Sequence, residues 1–240
     1  MTEPNLATIW VYLSAEPLTG LTITLIAYSI SYRLYTYMNS NSLLHPVAIA
    51  VLILISFLTV TNTSYAAYFE GGQFIHFLLG PATVALAIPL YKQLPKLRKI
   101  WLPVSIALIS GAALGALSSV LIARFFGASP AIQLSLAPKS VTAPVAMGIA
   151  EKVGGIPSLT AAMVVTTGII GAVLGTKLFA LMGIKDESVK GIAMGVTAHG
   201  IGTARAFQVN SEMGAFSGLA MALSTFITAL MLPWLLNLLG

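Results

Sequence analysis

Apolar stretches of about twenty residues, almost free of charge, recur along this chain, and no other feature constrains its fold as strongly. Charged side chains make up 8% of the 240 residues, against roughly 25% in an ordinary soluble domain. Apolar residues reach 57% and the mean hydropathy is +0.92. A water-soluble globule of this length needs far more polar surface than that. A soluble enzyme, a disordered tail and a collagen-like rod are excluded. The expected fold is an all-α polytopic integral membrane protein. At ~20 residues per crossing of a ~30 Å hydrocarbon core, the length allows about six to eight membrane segments.

The apolar runs fall at about Leu18–Met38, Leu43–Thr61, Phe74–Tyr91 and Trp101–Ala123, with a shorter, interfacial one at Leu6–Ala15. Pro81 and Pro89 are expected to kink the third run. Trp101–Ala123 carries Gly111 and Gly115, a spacing that lets another helix approach closely. After residue 125 the texture changes. Two clean spans remain, about Ile156–Leu181 and Met213–Leu239. Each is preceded by a segment, Ala131–Ala150 and Gly191–Val209, that is apolar but interrupted by proline, glycine and charge. The chain reads as one membrane domain over 1–240, with a helical scaffold half (1–125) and a half carrying the substrate site (130–240).

Charge sets the orientation. Lys92, Lys96, Arg98 and Lys99 cluster in one short stretch, read as a cytoplasmic loop. The acidic N-terminus, with Glu3 and Glu16 and no basic region, is not a cleavable signal peptide and falls outside. Two topologies remain for the second half. If Ala131–Ala150 crosses, Lys177, Lys185 and Lys190 end outside. If it enters and returns as a re-entrant hairpin, all three lie inside, and Gly191–Val209 becomes a second hairpin from the opposite face. Hairpin plus span would then repeat in inverted form, as in many transporters. A weak direct match of Leu79–Val84 to Leu136–Val141 argues for a full crossing instead.

Ala137–Pro144 reads APKSVTAP. Pro138 and Pro144 are read as helix breaks, because each lacks an N–H and disfavours the preceding turn. Lys139, Ser140 and Thr142 lie within that break. A lysine at membrane depth costs about 2.5–3.5 kcal/mol on insertion scales, so it needs a partner or a ligand. Either Lys139 snorkels or pairs with Glu151, or it coordinates an anion beside hydroxyl donors and a helix N-terminus. Thr197–Phe207 reads TAHGIGTARAF. Gly200 and Gly202 permit tight backbone and approachable N–H groups. Arg205 can grip a carboxylate with two parallel hydrogen bonds, or lie at the cytoplasmic interface. His199 is a donor, acceptor or proton carrier, or a buried structural residue. Thr203 adds a hydroxyl. The substrate-binding candidates are therefore Lys139, Ser140, Thr142, His199, Gly200, Gly202, Thr203 and Arg205.

Other chemistries find no support. There is no dinucleotide fingerprint, and the three histidines, His45, His76 and His199, are scattered with no carboxylate pair, so no metal is expected. Asp186 is the sole aspartate, which excludes intramembrane proteolysis by paired aspartates. The chain has no cysteine. The basic residues do not form a soluble face, so nucleic acid is not a partner. No cofactor and no enzymatic activity are expected.

APKSVTAPVAMGIAEKVGG (Ala137–Gly155), MGVTAHGIGTARAF (Met194–Phe207) and LLGPATVALAIPLYKQ (Leu78–Gln93) together resemble the LrgB/CidB antiholin-like family. The resemblance implies a multi-pass protein of the bacterial cytoplasmic (inner) membrane, acting with a small LrgA/CidA-like membrane partner and linked to control of murein hydrolase activity and autolysis. A plant relative is similar to a plastidal glycolate/glycerate translocator, and some bacterial systems are associated with pyruvate uptake. Two functions follow as expectations. The first is secondary transport or facilitation of small monocarboxylates such as glycolate, glycerate or pyruvate. The alternative is an antiholin-like regulator. The partners expected are a small carboxylate, the lipid bilayer, the small membrane protein and further copies of the chain in a homo-oligomer.

Overall fold

A computed structural model describes residues 17–38, 44, 46–85 and 87–237. The Leu6–Ala15 run and His45 lie outside the described residues, as does the side chain of His76. All regular structure among the described residues is helical: α1 Pro17–Tyr37, α2 Pro46–Val60, α3 Tyr65–Ala85, α4 Ala87–Phe125, α5 Pro130–Leu136, α6 Ala143–Val153, α7 Pro157–Leu181, α8 Glu187–Val209 and α9 Ser211–Asn237. Among the described residues three helices are long and apolar enough to cross a membrane: Ile88–Phe125, Pro157–Leu181 and Ser211–Leu236. Contacts divide the chain into two compact units, one ending at Ala85 and one beyond it.

In the first unit α1 packs against both α2 and α3. Gly20 lets α1 approach α3 closely, since a Cβ there would meet the Tyr68 carbonyl oxygen. One turn along, the Thr24 and Tyr68 hydroxyls are 2.8 Å apart. Tyr28, Tyr32 and Tyr37 are exposed while Tyr35 is buried.

The second unit holds α4 to α9. Here many large apolar side chains are exposed, among them Phe125, Leu181 and Trp234, while Ser119, Ser135, Thr160, Ser217 and Ser224 are buried. This inversion of the soluble pattern suits a bundle solvated by lipid, where small and hydroxyl residues join helices. The stretch containing Lys92–Lys99, read from the sequence as a loop, is helical and forms the first part of α4. The helix kinks at Ile100, with φ −114° and ψ 17°. Of the two prolines expected to kink the third run, Pro81 lies inside α3, and the junction at Leu86 lies outside the described residues.

One ammonium marks the topology of this unit. Lys96 Nζ lies 3.1 Å from Asp186 and 2.8 Å from Glu212. Asp186 precedes α8 and Glu212 opens α9, so both flanks of α8 meet at the start of α4. A straight helix of α8's length would separate them by about 34 Å. The chain reverses at His199, whose φ of 40° and ψ of −133° are not helical. The first arm (187–198) runs parallel to α9, with Gly191 beside Met213 and Gly195 beside Ser217. The second arm (200–209) runs antiparallel, with Thr203 bonded to Ser217 and Phe207 beside Gly214.

The same clasp orients α7. Its C-terminal end leads to Asp186 and hence to the start of α4, so α7 is antiparallel to α4. Residues 126–156, which join these two helices, therefore leave and return at the same end. Within them α5 and α6, about 10 and 16 Å long, fold back on each other. Gly155 comes to rest against Leu134 and Ser135, where a Cβ would lie 3.0 Å from the Ser135 nitrogen. The match of Leu79–Val84 to Leu136–Val141 has no structural counterpart: Pro81 lies inside helix α3, whereas Pro138 lies in the turn after α5.

Asp186 also caps α8, accepting from the N–H groups of Ser188 and Val189. Its carboxyl is held down at about 2, chiefly by the Ser188 hydroxyl, then by Lys96 and the two backbone donors. The stabilisation this carboxylate contributes is full above the ordinary Asp value of ~3.9 and is lost as pH falls through about 2.

Glycine decides how near α8 and α9 come. A Cβ on Gly195 would lie 2.2 Å from the Ser217 carbonyl oxygen, which is backbone and cannot swing aside. Gly148 on α6 faces open space. Gly195→Ala is expected to lower unfolding stability in detergent by about 1–3 kcal/mol, and Gly148→Ala to change it by less than about 0.5 kcal/mol. Thermal or denaturant unfolding of the purified variants measures both.

Candidate functional site

The two reversals identify the places where chemistry can collect. In the first, α5 ends at Leu136 and residues 137–142 turn before α6 begins. Pro138 and Val141 are fully buried and anchor the turn, while Lys139, Ser140 and Thr142 are half-buried. Thr142 is the N-cap of α6. Pro144 does not break a helix: it is the second residue of α6, where an N–H would be unused. Lys139 Nζ lies 3.4 Å from Ser140 Oγ. Among the described residues Lys139 forms no ion pair, with Glu151 or any other carboxylate. The turn therefore presents an ammonium, two hydroxyls and the N-terminal N–H groups of α6, a donor set suited to an anion.

In the second reversal His199 is buried, and Nε2 lies 2.9 Å from the Val164 carbonyl oxygen. A carbonyl only accepts, so Nε2 carries the proton in this bond. The ring fills the space left by Gly168, where a Cβ would be 2.6 Å from His199 Cε1. A non-glycine residue at positive φ costs about 1–3 kcal/mol unless its surroundings hold it there. The bond to Val164 and the fit at Gly168 do so. The Thr203 hydroxyl donates to the His199 carbonyl at 2.8 Å and lies 2.9 Å from Ser217 Oγ. Thr203 is thus engaged in tying the reversal together. Gly202 is buried where the two arms meet, against Met194 and Ala198, whereas Gly200 is exposed. Arg205 lies six residues beyond His199, about 9 Å farther along its arm, and donates to Gln208 Oε1 at 3.2 Å.

Two helices bring the reversals to one level. On α4, Gly111 faces Val196 of the second reversal and Gly115, one turn later, faces Ser140 of the first. On α7, the Val164 side chain packs with Ala137 and Val141, while its carbonyl receives His199. The site residues thus fall into two groups: Lys139, Ser140 and Thr142 at one turn, and His199 and Gly200 at the other. Arg205 lies outward from both.

Sequence reasoning passed over Ser119, Ser135 and Thr160. Ser119 donates to the Leu136 carbonyl at 3.1 Å, Thr160 to that of Ser135 at 2.9 Å, and Ser135 accepts from the Ile156 N–H at 2.7 Å. Their signal is a hydroxyl within an apolar run, which many membrane helices share. Thr160→Val keeps the side-chain shape and leaves the buried Ser135 carbonyl without that donor. A loss of about 1–3 kcal/mol in unfolding stability is expected. Thr166→Val, at an exposed position where the hydroxyl bonds only within its own helix, should move stability by less than about 0.5 kcal/mol. Unfolding in detergent compares the two.

The LrgB-like family matches residues 24–238 of the chain. An uncharacterized protein of Bacillus subtilis, YwbG, is 35% identical over 192 residues, covering 80% of this chain and 85% of that protein. Antiholin-like protein LrgB of Bacillus cereus (strain B4264) is 31% identical over 224 residues, covering 93% of this chain and 97% of its own length. The protein of that name from Bacillus anthracis (strain CDC 684) is equally similar. No solved structure matches the chain. The family match over nearly the whole chain and the apolar helices agree: this is a helical membrane protein that belongs to the LrgB-like family.

Proposed function

We propose that this protein is an antiholin-like membrane regulator. The observation that carries this is similarity over almost the full length of a relative bearing that name, 97% of it being matched. On this reading it resides in the bacterial cytoplasmic membrane, acts with a small LrgA/CidA-like membrane protein and restrains murein hydrolase activity. A host lacking the chain should lyse faster than its parent when wall hydrolysis is triggered, and the intact gene should restore the parental rate. Equal lysis with and without the chain contradicts this.

A second reading, transport or facilitation of small monocarboxylates, is favoured by the site rather than by the comparisons, which name no substrate. The supporting observation is the pair of fold-back segments entering from opposite ends and meeting beside Gly111 and Gly115 of α4. In a bilayer these act as two re-entrant hairpins, each followed by a span (α7, α9), in inverted arrangement. Lys139 offsets the carboxylate charge, Ser140 and Thr142 donate to its oxygens, and Gly200 offers backbone near His199. Arg205, Gly202 and Thr203 then serve the second hairpin, with Arg205 drawing anions toward it.

Proteoliposome uptake of labelled glycolate or pyruvate tests this reading. Lys139→Ala should lower uptake at least about tenfold, the loss of one charge-assisted hydrogen bond. Uptake that survives both Lys139→Ala and His199→Ala contradicts the site, and no uptake above empty liposomes contradicts transport.

A further inference from the structure

A cavity of about 500 Å³ opens between α4 and the first arm of α8. It begins at Lys96 and Asp186 and ends at Gly111 and Thr197. Between those ends its walls are apolar, with Ile100 and Val104 facing Val189 and Ile192. The chemistry is therefore graded: charge at the mouth, hydrocarbon along the length. From Ile100 to Gly111 the apolar part spans about 16 Å along α4, which matches the ~15 Å depth of hydrocarbon in one leaflet. The mouth lies in the helical turn that carries Arg98 and Lys99 beside Lys96, the sort of basic cluster found at the membrane surface. At that mouth one ammonium is set between two carboxylates, Asp186 and Glu212, which leaves one negative charge on the cluster. The Asp186 side chain is 50% exposed and open to a cation from outside.

We propose that this groove is a binding site for a phospholipid bearing a primary ammonium headgroup. One acyl chain lies along the apolar walls, and the headgroup ammonium rests against the Asp186–Glu212–Lys96 cluster. The lipid lies along the seam where Val104 and Leu108 of α4 pack with Ile192 and Val196 of the hairpin arm, so it sits where that arm must slide if the hairpin moves. The site is independent of which function holds, because it uses none of the residues of the two turns.

The test uses the full chain in vesicles of phosphatidylethanolamine and phosphatidylglycerol. Nitroxide labels are placed at Ala107→Cys and Ala193→Cys, the chain having no other cysteine. Both positions line the groove. Collision with oxygen is expected to exceed collision with a charged nickel chelate at both labels. Phosphatidylethanolamine is expected to be retained over phosphatidylglycerol by about threefold after detergent extraction, the size of one exposed ion pair. Asp186→Asn, which preserves the helix cap, should abolish that preference, and Ala107→Trp should expel the lipid altogether. A dominant nickel effect would mean a water-filled path, and low values for both reagents a groove covered by protein. Either result overturns the proposal, as does retention that shows no headgroup preference or is unchanged by both substitutions.

Discussion

A backbone N–H or C=O freed by a broken helix must find a partner when lipid surrounds the bundle, and this requirement shapes the second unit. An unsatisfied group costs several kcal/mol at membrane depth, so irregular backbone survives only where protein receives it. At the first reversal the receivers are hydroxyls: Ser119 on α4, Thr160 on α7 and Ser135 on α5 itself. At the second, the His199 carbonyl takes the Thr203 hydroxyl, and the imidazole reaches the Val164 carbonyl. These partners lie on α4 and α7 as well as on the reversals. The broken segments are therefore held by the unbroken helices, and neither reversal is built from local sequence alone.

Glycine and the ion pairs do the remaining placement. Gly168, Gly171 and Gly175 form one stripe of α7 that receives His199, Ala198 and Met194, while Gly191 and Gly195 admit the backbone of α9. The hairpin is gripped on two sides by contacts too close for any side chain. The Lys96 cluster acts at the open end. Its members are a third to a half exposed, so each pair contributes little energy, at most about 1 kcal/mol. It marks the topology more than it drives it.

Much of this arrangement was legible in the residues. Pro138 and the run of Gly200, Gly202 and Thr203 flagged both interrupted segments, because proline and clustered glycine are costly in an apolar helix without a reason. The lysines at 177, 185 and 190 favoured a returning 131–150 segment through charge distribution, and the ion pair from Lys96 to Asp186 places 185 and 190 at the same end as Lys92–Lys99. Local sequence was less informative about helix boundaries. The basic stretch Lys92–Lys99 looked like a loop, yet it is helical through Pro95, and the helix yields at Ile100, in the turn preceding Pro103. Gly202 and Thr203 looked like ligand groups, but packing and hydrogen bonding with Met194 and Ser217 occupy them. Such roles depend on partners distant in the chain, which spacing does not reveal.

The central claim is that residues 126–156 and α8 each fold back, from opposite ends of the second unit. Labelling of single cysteines with a membrane-impermeant maleimide tests it most directly, since the chain contributes no thiol of its own. With Lys99→Cys as the reference, Lys185→Cys and Val209→Cys should label from the same face and Glu151→Cys from the opposite one. Glu151 on the face of Lys99, or Lys185 and Val209 on different faces, would show that one of the segments crosses the membrane and would contradict the account.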